Sequence, residues 1–259
     1  MDKCFCFTVD DNIRVFKELT AGNYSSAFDH PYLALYRHLH ETYGLCVQLN
    51  LFYECDGFTL SDMTDRYREE FEKNADWLKM SFHSRLENVR PYEHSGYAEV
   101  LSDCAFVERE IIRFAGEKAL AKTTTIHFCL LTKDGIHAMK ARGTRGLLGL
   151  YGTKEKPRLS YGTREEDGAL IRNGETILDQ GIFYAGIDIV LNCYSKDENL
   201  AILSTLYGRN LIKVMIHEQY FYPDYPYYQA EFGEKLDAVF SALVNEGYQS
   251  TFLENTLID

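Results

Sequence analysis

"FCFTVDDN" (residues 5–12) is the stretch on which the reading of the chain turns. An apolar run reaches Val9 and then stops at two adjacent carboxylates, Asp10 and Asp11. The run reads as a short buried strand. Its acidic end is either a solvated turn or helix cap, or a pair of groups held at the mouth of a core for chemistry. The rest of the chain bears on that choice.

Working outward, "LCVQLNLFY" (45–53) alternates with period two and reads as a strand. "WLKMSF" (77–82), "TTTIHF" (123–128), "RGLLGLY" (145–151), "GIDIVLNCY" (186–194) and "LIKVMI" (211–216) read likewise, with "YQSTFL" (248–253) as a last short strand. Helices lie between them. Over 31–43, Tyr32, Leu35, Tyr36 and Leu39 share a face, Pro31 starts the helix and Gly44 ends it. Further helices are expected over 61–74, 103–115 and about 135–143. Ser195 and Glu198 form a capping box that opens another, running to Tyr207. Leu236, Val239, Phe240 and Leu243 mark the last helix, which stops at Gly247. Residues 83–96 are irregular. Residues 152–184 break the rhythm, and Asn173–Gly174 suits a two-residue type I′ turn, so the segment reads as an inserted β-hairpin within a single domain spanning 1–259.

Strand then helix, seven or eight times, implies a parallel sheet with helices outside it. That many units predicts an α/β fold: a (β/α) barrel of seven or eight parallel strands, distorted and TIM-like. An open doubly wound sheet is the alternative. No G-x-G-x-x-G or P-loop pattern follows any strand.

The length, 259 residues, suits one such domain, and 46% hydrophobic with 25% charged content is that of a soluble globular chain. A net charge of −12 opposes phosphate backbones and anionic membranes, so neither nucleic acid nor membrane is an expected partner. No apolar stretch approaches the ~18 residues that span a bilayer. The start, "MDKCFCFTVDD", lacks a signal-peptide layout, and a cytoplasmic location is expected. The seven cysteines show no C-x-x-C spacing and read as reduced thiols.

The polar residues fall at strand ends. Asp10 and Asp11 end the first strand, His83 ends "WLKMSF", His127 ends "TTTI" and His217 ends "LIKVMI", while Asp188 lies within "GIDIVLN". In a parallel barrel all strand C-termini emerge on one face, and that face carries the chemistry. Each residue alone reads as a packing group or a turn. Metal-type ligands at the same relative place in separate βα units read as a constellation.

In these residues the chain resembles the polysaccharide deacetylases (carbohydrate esterase family 4), whose core is the NodB homology domain. That family's first motif, T-F-D-D-G, corresponds to "TVDDN" (8–12), its second, beginning His-Ser, to "HSRLE" (83–87), and its last, an apolar strand ending in histidine, to "VMIH" (214–217). The resemblance implies a NodB-type barrel with Asp10 as general base, Asp11 and His83 as metal ligands and His217 as general acid. The family's third ligand, a histidine four residues after the first, has no counterpart, because Glu87 stands there. His94 is the expected ligand by its distance from the following helix, with Glu87 as the rival. The family's arginine motif is missing after "RGLLGLYG" (145–152), as is its aspartate-tryptophan motif. His127 and Asp188 stand nearest those places and are the expected substrate contacts.

The chain is therefore read as a divergent member. The implied function is metal-dependent hydrolysis of a carbon–nitrogen amide bond, deacetylating an N-acetylated sugar or related small molecule. The implied cofactor is one divalent ion, zinc first, with cobalt, nickel or manganese also suited, and the implied partner is a small-molecule or oligosaccharide substrate. The tyrosine-rich stretch 217–228 suits stacking on sugar rings or packing over the rim. Two other readings remain at this stage. One is a non-catalytic descendant of the fold that binds a carbohydrate or a partner. The other is a metal-free glycosidase, which adjacent aspartates diverging at i and i+1 do not suit. No sequence pattern sets an oligomeric state.

Overall fold

Strand and helix alternate through the computed structural model, which describes residues 3–87, 89–90 and 92–258. In chain order the elements are β1 (Cys4–Asn12), α1 (Arg14–Ala21), α2 (Pro31–Tyr43), β2 (Val47–Cys55), β3 (Phe58–Thr59), α3 (Arg68–Lys73), β4 (Leu78–Leu86), α4 (Tyr97–Ala115), β5 (Thr123–Thr124), α5 (Lys133–Ala141), β6 (Gly146–Gly149), α6 (Glu165–Arg172), β7 (Thr176–Asp179), β8 (Ile182–Gly186), β9 (Ile189–Val190), α7 (Lys196–Leu206), β10 (Leu211–His217), α8 (Phe232–Asn245) and β11 (Gln249–Ser250).

β1 lies between β2 and β10, parallel to both, and the parallel arc continues to β4 on one side and β9 on the other. A second arc holds β5, β6 and β8 in parallel, edged by antiparallel β7. A parallel bridge between Met80 and Leu120 joins β4 to the approach of β5. At the other junction, Ile187 N–H donates to the Gly149 carbonyl at 2.9 Å and Asp188 N–H to the Lys213 carbonyl at 2.8 Å. The two arcs are the wall of a distorted (β/α) barrel, as the alternation predicts.

The strand period of two sorts β1 between the wall's two faces. Phe5 and Phe7 pack outward on the helices. Phe5 stacks on Phe240 of α8 at 5.6 Å, and Phe7 meets Phe240 at 4.9 Å and Tyr36 of α2 at 6.0 Å. The opposite parity faces a polar interior. Gln48 Nε2 donates to Asn50 Oδ1 at 2.8 Å, Ser81 Oγ to the same oxygen at 2.5 Å, and Thr123 Oγ1 to Gln48 Oε1 at 3.0 Å. Most buried polar groups are paired in this way.

Several elements depart from expectation. The helix expected over 61–74 is only α3. A capping box of Thr59 and Asp62 starts a single 3-10 turn, which ends at Met63 in an extended conformation. The helix expected over 103–115 starts earlier, at Tyr97. "TTTIHF" is a strand only at β5, because the chain turns sharply at His127–Cys129. Asn173–Gly174 closes α6 instead of turning a hairpin. The hairpin is β7–β8, with Gln180 and Gly181 at φ 49° and 78°, the positive angles a type I′ turn requires. Asn-Gly suits a helix end as well as a hairpin, which is why the sequence misplaces the turn. No disulfide joins any of the seven cysteines, and no helix among the described residues is long and apolar enough to cross a membrane.

Phe240 is fully buried and touches both outward rings of β1. Phe240→Ala is expected to lower stability by about 3–5 kcal/mol in urea unfolding, the range for deleting a core aromatic.

Candidate metal centre

The end of β1, the C-terminal half of β4 and the turn after β5 bring three side chains together. Asp11 Oδ1 lies 3.1 Å from His83 Nε2 and 3.3 Å from His127 Nδ1, and the two ring nitrogens are 3.2 Å apart. These are ligand-type atoms arranged as a nearly equilateral triangle. A cation with bonds of about 2.1 Å needs ligand atoms roughly 3.0 Å apart at octahedral angles or roughly 3.4 Å apart at tetrahedral ones. The observed edges fall between the two. Phe52 packs on both imidazoles, with ring centroids 5.2 and 4.8 Å away. His83 Nδ1 is in a short hydrogen bond to the Thr125 carbonyl. A carbonyl only accepts, so the network puts the proton on Nδ1 and leaves the Nε2 lone pair for a metal.

In a regular strand Asp10 and Asp11 would face opposite sides. Here the pairing of β1 with β2 shifts between Val9 and Asn12, and Asp11 has a left-handed φ of 62°. Asn12 holds this bulge. Its Nδ2 donates to the Val9 carbonyl at 2.5 Å, and its Oδ1 accepts from the Tyr32 hydroxyl at 2.8 Å. Just beyond, the Glu218 carboxylate accepts from the N–H groups of Ile13, Arg14 and Val15 at 2.7, 2.9 and 2.8 Å. It thereby satisfies backbone donors that a helix start leaves open. Both aspartates therefore line one cavity of about 250 Å³, together with His83, His127 and His217.

The two carboxyls differ in environment. Burial pushes the Asp10 pKa up, against the pull of His83 and His217, and Asn50 Nδ2 donates to its Oδ1 at 2.6 Å. Burial would also raise Asp11, but the imidazoles of His127 and His83 set against it hold it well below the usual carboxylate range. Burial would lower His83, yet the Asp10 and Asp11 carboxylates and the Thr125 carbonyl raise it. Neighbouring acids driven apart in this way suit different tasks. His217 pairs in register with Asp10 across β1 and β10. Its Nδ1 meets Asn192 Oδ1 at 2.9 Å, which assigns the proton to Nδ1 and leaves Nε2 free.

The structure thus gathers Asp10, Asp11, His83, His127 and His217, and it does not bring in His94 or Asp188. His94 is exposed on the irregular stretch before α4. β4 runs on to Leu86 and carries the loop away from the rim, so the third corner comes from the next strand end, at His127. Glu87 is outside the triangle too, and its Oε2 accepts from Cys55 Sγ at 2.7 Å. Asp188 is held lower in the barrel by Arg209 at 2.5 Å and by Lys213 through Nζ at 3.1 Å and N–H at 2.8 Å. Lys213 precedes His217 by four residues, about 13 Å along a strand. A second cavity, of about 280 Å³, mixes Lys133, Arg164, Asp167 and Asp179 and has no histidine.

Sequence reasoning passed over Asn50, Asn192 and Arg158. Asn50 sits on the polar parity of "VQLNLF", which faces the barrel interior. Arg158, in the segment read as a hairpin, lines the cavity and donates from Nη2 to the Phe128 carbonyl at 2.6 Å. Phe128 and Cys129, beside His127, have φ of 60° and 55°. With Asp11 they put three left-handed non-glycine residues on this cavity, where such strain commonly gathers at functional sites.

No protein-family model matches the chain, and no curated protein matches it in sequence. Solved structures do match. A family 4 acetyl xylan esterase from Clostridium thermocellum, in complex with a cobalt ion, superposes with a TM-score of 0.55 at 11% identity, over 98% of this chain and 89% of that one. The Bc1960 peptidoglycan N-acetylglucosamine deacetylase gives 0.53 at 10% identity, over 97% and 86%. A 4-alpha-glucanotransferase from Thermococcus litoralis gives 0.58 at 12% identity, over 98% of this chain but 40% of that one. The chain has the NodB-type barrel fold of the family 4 deacetylases. A barrel shared with a glucanotransferase does not by itself choose a reaction, which must be argued from the site.

Burial pushes the Glu218 carboxyl from its ordinary 4.5 up to about 7, against the three backbone donors. The folded state then holds this proton more tightly than the unfolded chain does. Its contribution is fully present below pH 4.5 and declines as pH rises through about 7. Between pH 5 and 7 the wild type is expected to lose stability relative to Glu218→Gln in urea unfolding, and parallel curves would contradict this.

Proposed function

We propose that the protein is a metal-dependent hydrolase of amide carbon–nitrogen bonds that removes an acetyl group from an N-acetylated sugar or related small molecule. The observation that carries this reading is the Asp11–His83–His127 triangle, whose edges of 3.1 to 3.3 Å suit one small divalent cation. Zinc suits one carboxylate and two imidazoles, and cobalt, nickel or manganese fit the same donors. Asp11 through Oδ1, His83 through Nε2 and His127 through Nδ1 would hold the ion. When bound, it polarises the amide carbonyl and makes water acidic enough to attack near neutral pH.

The chain's own groups move the protons. Asp10 sits beside the triangle without being part of it. Its burial raises its proton affinity, as a general base requires, and Asn50 fixes its orientation. It accepts the proton of the attacking water. As the carbon–nitrogen bond breaks, His217 in its imidazolium form donates the Nε2 proton to the leaving nitrogen, which departs as the amine, and the proton taken up by Asp10 restores the imidazolium for the next turnover. Asn192 keeps the other nitrogen occupied, so the ring presents one fixed edge. Water adds across one bond and no other reactant is needed. A cytoplasmic location fits seven cysteines without a disulfide and a small soluble substrate.

Metal analysis of the purified protein tests the site. One equivalent is expected, lost in His127→Ala and retained in His94→Ala. The reverse pattern would restore His94 as the ligand. Acetate release from a panel of N-acetyl sugars tests the step. Asp10→Asn is expected to keep the metal and to slow release by about 10²–10⁴-fold. Bound metal with no turnover on any substrate would favour the non-catalytic reading.

A further inference from the structure

We infer that Gln219 is a positioning residue that makes Asp11 a one-oxygen ligand by occupying its other oxygen. The inference rests on reading Asp11, His83 and His127 as a metal site. Gln219 lies in the 3-10 turn Glu218–Phe221, directly after β10. Its Nε2 donates to Asp11 Oδ2 at 2.9 Å. The opposite oxygen, Oδ1, is the one that faces both histidine nitrogens. The carboxylate is thus divided, with one oxygen engaged by the protein and the other presented to the triangle.

The amide has one workable orientation. Gln219 Oε1 is buried without a partner among the described residues. Flipping the side chain would set that oxygen against Oδ2, acceptor against acceptor, and would lose the bond to a charged group, among the stronger kinds of hydrogen bond. The unpaired oxygen is tolerated because Asp11 decides the matter. The backbone beneath Gln219 is anchored as well. Its neighbour Glu218 grips the N–H groups of Ile13, Arg14 and Val15, just past the bulge that carries Asp11. One residue ties down the chain after the aspartate, and the next ties down the aspartate itself.

The chemical consequence concerns open positions. A carboxylate bound through both oxygens takes two places around a metal, and one bound through Oδ1 takes one. Three single-atom ligands leave room for both a water and a substrate carbonyl. Without Gln219, Asp11 is free to rotate and to close on the metal with both oxygens. Partners that orient a ligating group in this way typically contribute 10–100-fold to metal affinity.

Gln219→Met keeps the length and removes the donor, and Gln219→Asn keeps an amide that falls one methylene short. Each would be stripped of metal, then titrated with zinc against a chromophoric chelator and loaded with cobalt for its visible spectrum. Both variants are expected to keep the wild-type circular dichroism, to bind zinc 10–100-fold more weakly, and to show weaker cobalt bands as the coordination number rises. Unchanged zinc affinity and an unchanged cobalt spectrum in either folded variant would overturn the role of Gln219 while leaving the metal site standing. A wild type that binds neither ion would overturn the metal site itself, and this inference with it.

Discussion

The bulge at Asp10–Asn12 is the constraint on which the site depends. Strand geometry sends consecutive side chains to opposite faces, so a regular β1 would give the cavity only one aspartate. The left-handed Asp11 breaks that rule at a single residue, at a cost of about 1–2 kcal/mol for residues less tolerant than aspartate. Asn12, Tyr32 and Glu218 supply buried hydrogen bonds on both sides of it, each worth about 1 kcal/mol or more. These are sufficient to hold the strained residue. The side chain of Asn12 grips the bulge directly.

With both aspartates on one cavity, their surroundings drive their proton affinities apart. Asp10 is reached by Asn50, a member of the polar chain that runs through the barrel interior from Thr123 and Gln48. It has no ion-pair partner in the triangle, so burial dominates and its proton affinity rises. Asp11 meets two imidazoles and stays ionised. The polar interior is therefore part of the site, because an apolar wall would leave the Asp10 carboxylate buried without a donor.

Much of this was legible in the sequence. β1, α2 and the capping box of α7 follow from local pattern, because strand period, proline start, glycine stop and Ser-x-x-Glu all act within a few residues. The placing of Asp10, Asp11, His83, His127 and His217 on one rim follows from strand ends in a parallel barrel. Distance measured along a loop did not convey which side chains meet. His94 has the right spacing from α4, but β4 extends past His83, and the side chain beside Asp11 and His83 is His127, just after β5. His127 was legible as a rim residue and not as a corner of the triangle, because that depends on atoms brought together from three strands. Asn50, Asn192 and Gln219 belong to the same class. Their importance lies in which atom they touch, and one-dimensional spacing does not record that.

The most direct measurement is a crystal structure of the zinc-loaded protein, with anomalous diffraction recorded on both sides of the zinc absorption edge. One strong peak is expected within bonding distance of Asp11 Oδ1, His83 Nε2 and His127 Nδ1, with Asp10 outside that distance. A peak bound by His94, or ordered protein with no peak in the cavity, would contradict it.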